Sequence, residues 1–245
     1  MAIASTDLIT FGATDRPLTD LTSSGGTVTV LHRPVFTEFA GNTVVAVVST
    51  GADTRVITVT GRNTTGAVVA DGITLTGAVE AVGVVTFERI QTVIAASTHA
   101  SNTVIVRMGS GGATVSTIPA MELGFYRMFL NSASDTGPVS RYEKIFWKNT
   151  HATLTLNAAK VKLTADPSSR IKIGLAASKN DVVAVAVRTS APGGVSFVDD
   201  NIDIDVPGTT LEAGSVVGVW VEQALLSSDS PFKSSFTTQL AGTSI

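Results

Sequence analysis

Residues 42–77 read NTVVAVVSTGADTRVITVTGRNTTGAVVADGITLTG, short runs of Val, Ile and Thr broken by Gly, Asn and Asp. β-Branched side chains suit the pleated, half-buried surface of a strand, while Gly, Asn and Asp supply turn conformations. The stretch predicts strands at 44–49, 56–60 and 68–75, with Arg62-Asn63-Thr64-Thr65-Gly66 as the hairpin loop between the last two. No segment of comparable length carries apolar residues at helical spacing between caps, so an all-β chain is expected.

Working outward, further strands are predicted at 27–31, 84–90 and 103–107. The run ERIQTVIAA at 88–96 stays open between a strand and a short helical turn. Gly109-Ser110-Gly111-Gly112 reads as a flexible break, followed by strands at 114–118 and 125–129. A polar stretch at 131–138 separates these from a second set. There, 141–149 reads as a strand, Leu154 and Leu156 share one face, and Ile171, Ile173 and Leu175 share another. DVVAVAVR at 181–188 is an apolar run between charged ends, as in a strand covered on both faces. Residues 216–221 form a second such run, and 235–240 is expected to close the sheet. Many short strands without a helix point to β-sandwiches. The expected organisation is an N-terminal arm (1–25) and two tandem antiparallel sandwiches of immunoglobulin-like or jelly-roll-like type (26–130 and 131–245). The arm, small and polar with Pro17, is expected either to fray or to lie on a neighbouring subunit.

Composition narrows the function. Hydrophobic residues make up 44% of the 245, enough for real cores, while charged residues are only 15% and aromatics 6%. A surface so poor in charge is expected either to be covered in an assembly or to be wetted by Thr and Ser. With a net charge of −3 there is no basic excess, so direct nucleic-acid binding is not expected. Cysteine is absent, which excludes disulfides and thiolate metal sites. The start, MAIASTDLITFG, lacks the basic and apolar regions of a signal peptide, and no apolar run reaches membrane-spanning length. A soluble protein made in a cytoplasm, without a membrane partner, is expected.

Chemistry-bearing patterns are sparse. His32, His99 and His151 are scattered, and no nucleophile elbow, phosphate loop or dinucleotide fingerprint occurs. Ser230-Pro231-Phe232-Lys233 has Ser-x-x-Lys spacing, but the strand-like run after it argues against the helix that chemistry needs. No catalytic set and no cofactor are expected. One acidic cluster, Asp199, Asp200, Asp203 and Asp205, reads as an edge strand with Asp203 and Asp205 on one side and Ile202, Ile204 and Val206 on the other. The alternative is a calcium site built from these carboxylates with Asn201 and carbonyls, although no EF-hand Gly or terminal Glu is present. Arg141, Tyr142, Lys144, Trp147 and Lys148 interleave basic and aromatic groups, as single-strand nucleic-acid binders do. The preferred reading is a strand with Ile145 and Trp147 inward and Lys144 and Lys148 outward, making Arg141, Tyr142, Lys144 and Lys148 candidate interface residues. Trp147, Tyr126 and Tyr142 are the aromatics that a glycan-binding surface would use; Trp220, inside VVGVWV, reads as core.

Three stretches carry a family resemblance: VITVTGRNTTGAV at 56–68 ending in ITLTG at 73–77, RYEKIFWKNTH at 141–151 followed by TLTLNAAKVKL, and LEAGSVVGVWV at 211–221. They resemble segments of tailed-bacteriophage virion proteins and cover about a fifth of the chain. The resemblance implies a non-enzymatic virion component built of immunoglobulin-like sandwiches, with no catalytic residues. Within that group the expected role is a head–tail or tail-attached part such as a collar or fibre-anchoring adaptor. A capsid decoration protein is the close alternative, and a receptor- or carbohydrate-binding module a third. Expected partners are further copies of the chain and other virion proteins: portal or adaptor, tail fibre, or capsid protein.

Overall fold

The computed structural model of the chain describes residues 2–130, 137–227 and 235–244. It is all-β: among the described residues the one helical piece is a 3-10 turn at Ser5–Asp7. The chain divides into two units. Val30–Met128 forms one, and Met1–Thr29 joins Phe129–Ile245 to form the other. The expected order of arm, first module and second module is thereby replaced by a nested one, with the 30–128 unit inserted into the chain of the split unit.

The inserted unit has two sheets. One runs Thr114–Ile118, Val104–Met108, Val45–Ser49, Ala81–Val82; the other runs His32–Arg33, Gly124–Tyr126, Arg89–Ala95, Val56–Arg62, Val68–Thr74. The hairpin Val56–Arg62/Val68–Thr74 forms where the turn residues place it. Asn63 Oδ1 closes the loop by accepting from the N–H groups of Thr65 (3.1 Å) and Ala67 (3.0 Å) and from Thr65 Oγ1 (2.7 Å). Alternation along Val56–Arg62 turns Ile57 and Val59 inward. They join Val45, Val47, Val93, Val106 and Phe125 in one core to which both sheets contribute, a sandwich-like arrangement.

Two local expectations change. The predicted strand at 84–90 is displaced to Arg89–Ala95, which also resolves ERIQTVIAA as strand rather than helical turn. The chain bends before Arg89 because the Asp71 carboxylate accepts from the N–H groups of Val84 (2.7 Å) and Val85 (3.0 Å). The Gly109–Gly112 stretch is a tight turn, not a linker: Glu80 Oε1 accepts from Ser110 Oγ (2.8 Å) and from Gly111 N–H (2.9 Å).

In the split unit, a six-stranded sheet runs Ile171–Lys179, Val216–Leu225, Val139–Asn149, Leu8–Asp15, Ser24–Thr29, Ala184–Val185. The predicted N-terminal arm is therefore an inner strand. Leu8–Asp15 pairs antiparallel with Val139–Asn149 on one side (Phe11 opposite Phe146) and with Ser24–Thr29 on the other, and it buries Phe11 and Ala13. A second sheet centres on Leu156–Ala165. This strand pairs with Thr237–Ser244, the expected closing strand, and with the short strands Ile204–Asp205 and Thr210–Leu211. The run 181–188 departs from expectation. Only Ala184–Val185 is strand, and Val182 is 64% exposed. This segment turns across the end of the sheet, bringing Asp181 and the Val183 carbonyl onto Lys144.

Candidate functional site

The four candidate interface residues lie on Val139–Asn149, an inner strand with neighbours on both edges, and that position decides their fate. Arg141 is 2% exposed and grips Asp20 bidentately, Nε to Oδ1 and Nη2 to Oδ2, both at 2.7 Å. Arg188, 1% exposed, reaches the same carboxylate: Nε and Nη2 donate to Asp20 Oδ1 at 3.1 and 2.5 Å. The Arg188 Nη1 group donates to Leu130 O (2.8 Å) and to Glu143 Oε1 (3.3 Å), and Glu143 Oε1 also accepts from Phe129 N–H (2.9 Å). Charge is thus stored inside the split unit rather than displayed.

Lys144 is likewise buried, contrary to the outward position expected of it. Its ammonium donates to Asp181 Oδ2, Gly26 O (3.2 Å) and Val183 O (3.1 Å), which uses all three N–H groups. It also lies 4.8 Å from the Phe146 ring centroid and 5.3 Å from that of Trp220. Two glycines make the room. A Cβ at Gly218 would sit 2.7 Å from Lys144 Cε, and one at Gly25, where φ is +102°, would sit 2.6 Å from Trp220 Cη2. Tyr142 is buried too, donating to Glu222 Oε1 (3.3 Å) beside the Phe197 ring. Lys148 is partly exposed, and so is Trp147, whose Nε1–H donates to Thr238 Oγ1 at 3.2 Å.

These buried groups carry a pH signature. Burial raises the Glu143 carboxyl from its ordinary 4.5 to about 7. An acid with a raised folded pKa stays protonated in the folded chain while the unfolded chain ionises. Stability is therefore highest below about pH 4.5 and falls as pH rises toward 7, by on the order of 3 kcal/mol. Asp20 acts in the other direction. Its hydrogen bonds from Arg141, then those from Arg188, hold it down to about 2 against the cost of burial, so its contribution is present above about pH 4 and lost as pH falls toward 2. Glu143→Gln keeps an acceptor for Phe129 and Arg188 and is expected to flatten the decline between about pH 5 and pH 8. Urea midpoints read by tryptophan fluorescence check this, since both tryptophans, Trp147 and Trp220, belong to the split unit. A wild-type midpoint that does not fall across that range would refute it.

The acidic cluster does not gather. Asp203 pairs with Lys160 (3.7 Å) and Lys162 (4.0 Å), Asp205 with Lys160 (3.8 Å) and Asp199 with Lys172 (3.3 Å), while Asp200 Oδ2 accepts from Asn201 Nδ2 (2.9 Å). Among the described residues no three His, Asp or Glu side chains are grouped so as to hold a metal ion. Exposed lysine–aspartate pairs of this kind contribute little to stability. The strand here is only Ile204–Asp205: Val206 is buried as alternation requires, whereas Ile202 is exposed. His99 and His151 build turns in the same manner. Each Nδ1 accepts two N–H groups, from Ser101 (3.2 Å) and Asn102 (3.0 Å) and from Thr153 (3.1 Å) and Leu154 (3.0 Å). Ser230-Pro231-Phe232-Lys233 lies outside the described residues.

What the described surface does present is an apolar flank on the inserted unit. Ala81–Val82 and Val68–Thr74 are the outermost strands of its two sheets, and Asp71 ties the second to the segment that follows the first. Val68, Val79, Val82 and Val84 are exposed along them, Val84 by 86%. No family model, curated protein or solved structure matches the chain. Among the described residues no helix is long and apolar enough to cross a membrane.

Proposed function

We propose that the chain is a non-enzymatic virion structural protein of a tailed bacteriophage. In this reading it is a head–tail or tail-attached component, such as a collar or fibre-anchoring adaptor, present in several copies. Its two units serve as immunoglobulin-like or jelly-roll-like sandwiches. The valine flank of the inserted unit carries the assembly part of this reading. Exposed aliphatic side chains beside two outer strands offer a partner both apolar area and backbone to pair with. The resemblance of 56–77, 141–163 and 211–221 to phage virion segments supplies the setting.

Lysine at both Val82 and Val84 is expected to shift the purified chain toward monomer in sedimentation velocity, with an unchanged far-UV circular dichroism spectrum. Assembly unaffected by the two charges would remove the flank from the interface. An asymmetric cryo-EM reconstruction of virions from the source tests the setting. Density around the portal and tail supports the adaptor role, density across the capsid lattice makes the chain a decoration protein, and absence from particles overturns the virion reading.

A further inference from the structure

The two units follow one strand plan. In the inserted unit one sheet contains the run Gly124–Tyr126, Arg89–Ala95, Val56–Arg62, Val68–Thr74. The matching run of the split unit is Val216–Leu225, Val139–Asn149, Leu8–Asp15, Ser24–Thr29. In both, the second of these strands leaves through a His-Ala-Ser/Thr turn, at His99 or His151, and the chain enters the other sheet. The registers there agree. Val104 lies opposite Ile118 and Ser49, and Leu156 lies opposite Leu211 and Ser244. The turn that follows is repeated as well: Met121 (φ +65°) and Gly214 (φ +78°) stand three residues after Ile118 and Leu211. Thr237–Ser244 is therefore the counterpart of Val45–Ser49. It follows the last strand of its unit where Val45–Ser49 precedes Val56–Arg62, so the split unit is a circular permutation of the inserted one's plan.

The counterparts differ at their outer edges. Val45–Ser49 is covered by the segment 81–87: Ala46 lies opposite Val82, Val47 lies opposite Ala81, Gly83 N–H donates to Val45 O (2.8 Å), and Thr43 bridges Phe87. That segment joins Val68–Thr74 to Arg89–Ala95 in the chain. Its place in the split unit, between Ser24–Thr29 and Val139–Asn149, is where the inserted unit enters. Among the described residues no strand covers the outer edge of Thr237–Ser244. Ala159 and Leu163 bond away from this strand, Ala159 to Val206 and Thr209 and Leu163 to Asn201. Alternation then turns Lys160 and Lys162 toward it and leaves the backbone N–H and C=O groups of Thr238 and Leu240 on the open edge.

We propose that this edge is a docking site for an extended segment of another chain, uncharged and Val-rich like 81–87, which adds antiparallel as a further strand. Thr237–Ser244 carries no Lys, Pro or carboxylate to turn such a strand away. Its pairing with Leu156–Ala165 slips twice, between Asn157 and Lys160 and between Leu163 and Ala165. Such slips twist an edge away from a rigid copy of itself, whereas a flexible segment can follow the twist. The site requires neither the valine flank nor the virion setting.

The test uses the full chain, labelled with nitrogen-15 and titrated with an acetylated, amidated peptide of residues 79–88, VEAVGVVTFE. Saturable shifts centred on the amides of Thr238 and Leu240 are expected. The same peptide carrying Gly83→Pro lacks the N–H that Val45 O receives in the inserted unit, and it is expected to bind about tenfold more weakly. The protein is unchanged in that comparison, so the loss reports strand pairing and not folding. Shifts linear in peptide concentration, shifts centred on Val82 and Val84, or equal affinity for the proline peptide would overturn the proposal. A second copy as the occupant is tested with Ala241→Cys, since the chain has no other cysteine. Disulfide-linked dimers of this variant, with no peptide binding by the unmodified chain, would give the edge to a second copy and overturn the proposal too.

Discussion

A chain lacking residues 2–24 is expected to leave the split unit unfolded. Leu8–Asp15 is an inner strand, so its removal strips hydrogen-bond partners from Val139–Asn149 on one side and from Ser24–Thr29 on the other. Phe11 and Ala13 leave the core with it. Asp20 goes as well, and Arg141 and Arg188 lose the carboxylate that they share. Removing one partner of a buried ion pair costs about 3–5 kcal/mol, and two guanidinium groups are affected here. Together with the lost strand this exceeds the roughly 5–15 kcal/mol that holds a typical domain folded. The expected readout is tryptophan emission at the wavelength of solvent-exposed indole, since Trp220 is otherwise buried. The core of the inserted unit contains no residue of the deleted stretch and is expected to keep a β-type circular dichroism signal. Native tryptophan emission from the shortened chain would show that the first strand is dispensable.

Lys144→Ala is expected to be the most damaging single substitution in the same unit. It removes the cation from Asp181, takes the ammonium donor from the Gly26 carbonyl, leaves the Val183 carbonyl with the Gly26 N–H alone, and opens a gap between Phe146 and Trp220. A loss of about 3–5 kcal/mol is expected. For a unit of this size that lowers the melting temperature by roughly 10 °C. Lys148→Ala, four residues along the same strand and partly exposed, is expected to change stability by less than about 0.5 kcal/mol. The contrast comes from the partners, because the two lysines are alike in sequence context. Lys144→Met combined with Asp181→Asn is expected to recover part of the loss, since it removes the stranded charge as well as its partner. Equal melting temperatures for Lys144→Ala and Lys148→Ala would refute the structural role of this ammonium.

How far the fold was legible follows from where each signal resides. The hairpin at 56–74 was plain because its information is local: alternation sets the faces and Asn63 closes the turn. ERIQTVIAA was ambiguous because the strand pairing slips between Thr60 and Gly61, so that Gln91 breaks the period of two. DVVAVAVR looked like a doubly covered strand because composition reports apolarity and not coverage. Here the chain serves Lys144 and leaves Val182 in solvent. Leu8–Asp15 reads as an arm in the sequence because its main partner strand begins at Val139, far along the chain. The candidate site failed for the same reason. Arg141 and Lys144 advertise charge, but Asp20 and Asp181, which pair with it, and Arg188, which shares Asp20, are remote in sequence and carry no motif. The valine flank, by contrast, is written in ordinary strand residues, and only the order of strands in the sheets makes them outermost.

The nesting of one unit within the other also fixes how the molecule carries tension. Because the chain enters the inserted unit after Thr29 and leaves it before Phe129, a pull between residue 2 and residue 244 runs first through the paired strands of the split unit. While those strands hold, the residues between 30 and 128 form a closed side loop that feels none of the pull. Tandem units would share such a force in series; here one is shielded until the other gives way. In an assembly strained along its axis, a neighbour gripping the inserted unit would keep its hold on an undistorted surface.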